Sequence, residues 1–200
     1  MSAAPWINLV DDQPDVRKAL QRLLASAGHQ VRGFGSAEEF LAGEAPREAG
    51  CIVLDLSMPG MDGLGLQRLL AERASLLPVI FLSGHGDLAS GVQAMKAGAT
   101  DFLTKPVDEE ALLAAVHCAL QRNAAARASQ ASQAAVQQRL DSLTPREREV
   151  LPLLAEGMLN KQIAAALGTA EQTIKIHRAR ILQKMQVRSV TALVRLLEQA

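Results

Sequence analysis

Carboxylates, a serine and a lysine that fall at the ends of short apolar runs are the residues of this chain best placed to do chemistry. Asp11 and Asp12 follow INLV (7–10), Asp55 closes CIVLD (51–55), Ser83 closes VIFLS (79–83), and Lys105 follows DFLT (101–104). Short apolar runs of this kind read as strands, and Cys51–Leu54 reads as one buried on both faces. If these strands share a sheet, three carboxylates meet, and each resists ionisation unless a cation compensates them. Mg2+ suits such a set, since it binds through a few carboxylates together with water and phosphate oxygens. With the ion in place, Asp55 can attack a phosphoryl group as a carboxylate nucleophile. Lys105 would neutralise charge on the transferring group, and the Ser83 hydroxyl would hydrogen-bond a phosphate oxygen. Taken singly, each residue has a plainer reading: Asp11-Asp12 before Pro14 cap a helix, and Ser83-Gly84 is a turn. All five at strand ends of one sheet favour the phosphoryl site.

The elements that must position these groups are legible in outline. QVRGF (30–34) supplies a fifth apolar run, and helical patterns lie between the runs. Val16, Leu20, Leu23 and Leu24 fall on one helical face, as do Leu112, Leu113, Val116 and Leu120. Pro14 suits a first helical position, SAEE (36–39) is a capping box, and Gly28 and Gly98 are stop signals. Five strands alternating with five helices predict an α/β doubly wound, flavodoxin-like domain with a parallel sheet. In such a sheet ligands bind at the carboxyl ends of the strands, where the five residues lie.

Two hundred residues, 48% hydrophobic, fit one large domain or two small ones. The formal net charge of zero hides an asymmetry. Residues 1–123 carry 10 Lys/Arg against 15 Asp/Glu, whereas 141–200 carry 9 against 6. An acidic front and a mildly basic back point to two domains with different partners, nucleic acid being a candidate for the second. Cys51 and Cys118 lack a CxxC or histidine-rich neighbourhood, so both are expected as small core or partly buried residues of a reduced protein. The N-terminus has no basic segment before an apolar stretch, and no run approaches the roughly 18 apolar residues that span a bilayer. A cytoplasmic protein with no membrane partner is expected.

From Gln121 the chain turns Ala/Gln-rich, without Gly, Pro or many large apolar residues. This predicts a helical linker with little to bury. The expected domains are therefore 1–121, a linker over 122–140, and 141–200. In the last segment LTPREREV places Thr144 at an N-cap, Pro145 at N1 and Glu147 at N3. A short helix over 161–167, a GTA turn and a second helix over EQTIKIHRARILQKM make a helix-turn-helix. Projected at 100° per residue, Ile174, Arg178, Ile181 and Met185 share one side of that second helix. Gln172, Ile176, Ala179, Arg180 and Gln183 face away, flanked by Lys175 and Thr173.

The blocks VDDQPDVR, DLSMPGMDG, FLSGHGD and AMKAGATDFLTKP resemble the receiver domain of two-component response regulators over about residues 4–121. The resemblance implies that Asp55 accepts a phosphoryl group from a sensor histidine kinase. It implies Mg2+ held by Asp11, Asp12, Asp55 and the Ser57 backbone carbonyl, a switch pair in Ser83 and Phe102, and a cis Lys105–Pro106 bond. Ser57 and His85, two residues beyond Asp55 and Ser83, stand where water access to the acyl phosphate is tuned; His85 reads as an exposed loop residue, with orienting a water as the alternative.

LTPREREVLPLLAEGMLNKQIAAALGTAEQTIKIHRARILQKMQVRS resembles the LuxR-type helix-turn-helix over about 140–198, and the combination resembles the FixJ/NarL class. That implies a recognition helix, 171–184, in the major groove of double-stranded promoter DNA. Lys175, Ile176 and Ala179 match base-facing positions, and Lys161, Thr173 and Arg178 match phosphate contacts. The resemblance further implies a phosphorylation-controlled transcriptional regulator that dimerises through the surface around 87–104, with RNA polymerase as a further partner. Its only catalysis would be its own phosphorylation and dephosphorylation. Family members often cap the recognition helix with serine where this chain has Ala170; Thr169, with Gln172 completing a shifted box, is the alternative cap. A phosphohydrolase working through an aspartyl-phosphate is disfavoured, because it needs an acid where this chain has Ser57. A constitutive DNA binder is disfavoured by the intact Asp11, Asp12, Asp55 and Lys105.

Overall fold

The computed structural model describes residues 4–43, 45, 48–84 and 88–198, in two compact units, Met1–Arg127 and Ala128–Ala200. His85 lies outside the described residues. In the first unit, strands β1 (Trp6–Val10), β2 (Gln30–Phe34), β3 (Gly50–Asp55), β4 (Val79–Ser83) and β5 (Asp101–Thr104) alternate with helices. The helices are α1 (Pro14–Ser26), α2 (Ala37–Ala42), α3 (Gly63–Glu72), α4 (Leu88–Lys96) and α5 (Glu109–Asp141), whose residues from Ala128 onward belong to the second unit. The strands form one parallel sheet in the order β2-β1-β3-β4-β5. The order reverses direction between β1 and β3, and in open α/β sheets that reversal opens a crevice at the strands' carboxyl ends.

Both faces of the sheet are covered, which is why β3 is apolar without alternation. Ile52, Leu54 and Phe81 pack with Phe40 and Leu66 on one face. Cys51, Val53 and Leu82 pack with Leu24, Leu112 and Val116 on the other. Each such large side chain contributes roughly 2 kcal/mol by leaving water. Pro14 opens α1, with Gln13 rather than Asp11 or Asp12 as its N-cap. Ser36 caps α2 by accepting from Glu39 N at 3.2 Å, while the Glu39 carboxylate accepts from Gly35 N.

Residues 122–140 bury more than their composition predicts. Asn123 is buried, accepting from Gly50 N at 2.9 Å and donating to the Leu76 carbonyl at 2.7 Å. Val136 is buried in the core of the second unit, with Leu140 packed against it. One asparagine and one valine do this, so a search for apolar periodicity passes over them. Residues 128–134 are exposed throughout. Cys51 is buried, and burial pushes its thiol up to about 12. Cys118 is exposed, contrary to expectation, because Ala115 and Ala119 rather than its own position face the sheet.

The second unit adds α6 (Pro145–Ala155), α7 (Asn160–Ala166), α8 (Glu171–Lys184) and α9 (Val190–Glu198) around a core that includes Val150, Leu154, Ile163, Ile174, Ile181 and Leu193. Thr144 and Glu147 make the complete capping box of α6. Glu147 is 1% exposed, and Lys184 Nζ donates to its Oε2 at 2.7 Å. Burial alone would raise the Glu147 carboxyl, but the hydrogen bonds from Lys184 and Thr144 overcome it and hold it below its ordinary value. Ala170 is the N-cap of α8, with no side-chain cap, so the shifted cap through Thr169 does not form.

Candidate functional site: an acidic pocket and a helix-turn-helix

Parallel register brings the strand-end residues together. Asp55 ends β3 beside Leu82 of β4, and Ser83 pairs with Thr104. Asp11 and Asp55 are 0% and 3% exposed. Lys105 Nζ reaches both, donating at 2.8 Å to Asp11 Oδ2 and at 2.8 Å to Asp55 Oδ2. The other oxygens accept backbone N–H groups: Asp11 Oδ1 from Gln13 at 2.8 Å, and Asp55 Oδ1 from Ser57 at 3.3 Å. Ser57 itself is exposed. The Lys105–Pro106 bond is cis.

Burial raises the Asp55 carboxyl and the Asp11 charge adds to it; the Lys105 and Ser57 N–H contacts only partly offset them. For Lys105, burial works to lower the ammonium, but hydrogen bonds and charge from Asp11 and Asp55 win and raise it. The lysine is thus held as a cation between the Asp11 side chain and an Asp55 carboxyl that burial makes reluctant to charge.

One oxygen from each of Asp11, Asp12 and Asp55 lies within 4.8 Å of the others. Asp12 Oδ1 is buried with no hydrogen-bond partner among the described residues. A buried, unpartnered carboxylate oxygen costs free energy unless a donor or cation meets it. Two buried carboxylates beside it make an all-oxygen donor set that fits a hard divalent cation.

Two features of this pocket escape a reading by sequence pattern. The Arg17 guanidinium donates to the Asp11 backbone carbonyl from the first turns of α1. A Cβ on Gly63 would stand 2.6 Å from the Asp55 carbonyl oxygen and 2.9 Å from the Phe81 ring, so glycine lets α3 start against the end of β3. The run DGLG around Gly63 was the available signal for the second; nothing local marks Arg17.

Ser83 is buried, and its hydroxyl donates to the Gly84 carbonyl at 3.1 Å. Phe102 is half-buried in β5, with its ring against α4. On the same helix Val92 and Met95 are 49% and 46% exposed.

In the second unit, Ile174, Ile181 and Met185 bury one side of α8, while Lys175, Ile176 and Ala179 are exposed on the opposite part of its surface. Ile176 is 45% exposed, an apolar side chain among polar neighbours. Lys175 lies 3.7 Å from Glu171. Lys161 is exposed at the start of α7, and Thr173 is half-buried. Arg178, inward by projection, is half-buried and donates to Asn160 Oδ1 at 3.5 Å, so its guanidinium reaches the start of α7.

A doubly wound domain with a strand-end carboxylate pocket, followed by a helix-turn-helix, defines a class. Residues 7–117 match the response regulator receiver domain, and residues 141–197 match the luxR family of bacterial regulatory proteins. The chain belongs to the two-component response regulators that join a receiver to a LuxR-type DNA-binding domain. It is 43% identical to Nodulation protein W of Bradyrhizobium diazoefficiens over 95% of this chain and 84% of that protein. It is 41% identical to the transcriptional regulatory protein FixJ of Azorhizobium caulinodans, over 95% and 90%. Among solved structures, the response regulator StyR matches with a TM-score of 0.92 at 46% identity, covering 99% of this chain and 100% of that one. Full-length FixJ from B. japonicum matches with a TM-score of 0.61 at 37% identity, over 100% and 98%. Membership implies a sensor kinase upstream and DNA binding downstream. Among the described residues no helix is long and apolar enough to cross a membrane.

Proposed function

We propose that this regulator is switched by phosphorylation of Asp55, with Asp11, Asp12, Asp55 and the Ser57 carbonyl as the Mg2+ site. The observation that carries the reading is the Lys105 ammonium shared by two buried carboxylates, beside the unpartnered Asp12 oxygen. Asp55 attacks the phosphoryl group carried by a sensor histidine kinase, forming the acyl phosphate as the kinase nitrogen leaves. Mg2+ held by these residues would supply charge neutralisation for the transferring group. Lys105, already oriented by two carboxylates, meets the same charge from the β5 side, and the Ser83 hydroxyl turns to a phosphoryl oxygen. Catalysis ends with the receiver's own phosphorylation and dephosphorylation.

A phosphoryl group adds close to two negative charges. Movement of Ser83 and Phe102 then biases the α4–β5 face, where exposed Val92 and Met95 supply apolar area for a second copy. Dimerisation brings two α8 helices onto paired half-sites in promoter DNA, and avidity supplements the modest basic charge of each 141–200 segment. Lys175, Ile176 and Ala179 face bases; Lys161, Thr173 and Arg178 meet phosphates. The setting is the cytoplasm, with RNA polymerase as the downstream partner. Sedimentation of the wild type and Asp55→Ala, with Mg2+ and acetyl phosphate, tests this. Donor-dependent dimers in the wild type alone are expected; equal response in both chains would exclude Asp55 as the switch.

A further inference from the structure

Glycine is the poorest helix former after proline, yet Gly91 is buried within α4, one turn from its start. The space around it explains the choice. A Cβ at Gly91 would stand 3.0 Å from Phe102 Cζ, 3.1 Å from Cε1 and 3.2 Å from Cε2. All three atoms belong to the outer end of one ring. Among the described residues the three nearest atoms outside the helix's own backbone all belong to this ring, and Gly91 does not have the positive φ that would itself require glycine. A side chain here would press on the aromatic ring, which would have to give by a few tenths of an ångström. Phe102 is half-buried and packed against the core cluster, so an added methyl would bear on a ring that the core holds on one side only.

We propose that Gly91 is a positioning residue for the switch, its missing side chain forming the slot in which Phe102 packs beneath α4. The size of the residue at 91 thereby sets phosphorylation-dependent dimerisation. This rests on the reading of Phe102 as the switch aromatic. It goes further in naming the residue that fixes how deeply the ring is seated, and it acts on a helix whose exposed Val92 is the next residue.

The test is a double-mutant cycle on the full chain: wild type, Gly91→Ala, Phe102→Leu and the double variant. Leucine lacks the three ring atoms that crowd position 91, so it reopens the space without changing α4. Thermal unfolding of the first unit is followed through Trp6, the chain's one tryptophan. Dimerisation is followed by sedimentation with Mg2+ and acetyl phosphate. Gly91→Ala is expected to lower Tm in the wild-type background and to raise it in the Phe102→Leu background, where only helix propensity remains. It is expected to weaken donor-induced dimerisation at least five-fold alone, and not at all when added to Phe102→Leu. The Tm reversal is what a general packing defect would not produce. If Gly91→Ala raises Tm equally in both backgrounds, or dimerises as well as the wild type, the inference is overturned while the switch reading stands. If Phe102→Leu leaves donor-induced dimerisation unchanged, the switch reading fails and the inference falls with it.

Discussion

Replacing Lys105 by methionine keeps most of the side chain's length and removes the cation that Asp11 and Asp55 share. In the wild type Nζ stands 2.8 Å from an oxygen of each, and those carboxylates are 0% and 3% exposed. Removing one partner of a buried ion pair costs about 3–5 kcal/mol, because the other charge is left buried and unpaired. The Lys105 side chain keeps 18% exposure, so water screens part of the pair. The expectation therefore sits at the low end, about 3 kcal/mol. For a unit of this size that is a fall in Tm of roughly 10 °C. At the proposed Mg2+ site the ammonium would also compete with the cation for the Asp11 and Asp55 carboxylates. A unit charge at about 5 Å is worth roughly 3 kcal/mol at an effective dielectric of about 20. Half of that is a tenfold change in Kd, so Lys105→Met should bind Mg2+ about tenfold more tightly. Since stabilisation by a ligand grows as RT ln(1 + [L]/Kd), added Mg2+ should raise Tm more in the variant than in the wild type. Melting curves followed through Trp6 across a Mg2+ titration measure both effects. Equal Mg2+-induced shifts in the two chains would refute the idea that lysine and cation share one site.

Three further expectations concern the second unit. Glu147→Gln should cost about 2 kcal/mol at pH 7, the worth of a hydrogen bond to a charged group. The Glu147 carboxyl is held below its ordinary 4.5, so its contribution is present above that pH and lost as pH falls through the depressed folded value. Calorimetry should show the gap between the chains closing on acidification below 4.5, and a pH-independent gap would count against the ion pair. Ala170→Ser places a hydroxyl at an N-cap whose backbone is already extended, with φ −78° and ψ 144°. It should stabilise the unit by about 1 kcal/mol, visible as a higher second melting transition, and no gain would mean the hydroxyl does not reach a free N–H. Lys161→Ala should weaken DNA binding evenly across sequences and reduce the slope of log K against log salt by about one, as read in a binding titration; a change in base preference would reassign it from phosphate to base.

The sequence by itself determined the elements and their ends. Apolar runs bounded by turn residues marked the strands, Pro14, Thr144 and Ser36 marked helix starts, and the stripe Ile174, Ile181, Met185 marked the buried side of α8. Those are local properties, set by periodicity and by backbone groups a few residues away, so one chain segment carries each. It also placed Asp11, Asp12, Asp55, Ser83 and Lys105 at strand ends, because strand ends are local too. Only the tertiary structure decided what these residues do to one another. Lys105 reaches Asp11 and Asp55 because β5 and β1 flank β3 and β4 in a single sheet. Among the described residues no donor reaches Asp12 Oδ1, which neighbouring chain segments bury. Asn123 looked like a solvated helix residue until Gly50 and Leu76 were brought to it, and Cys118 looked apolar enough for a core it does not face. Gly91 carried no local signal, since the ring that requires it stands on another element. Distance along the chain hides such contacts: a contact between segments far apart is set by the packing of whole elements, which no short window of sequence contains.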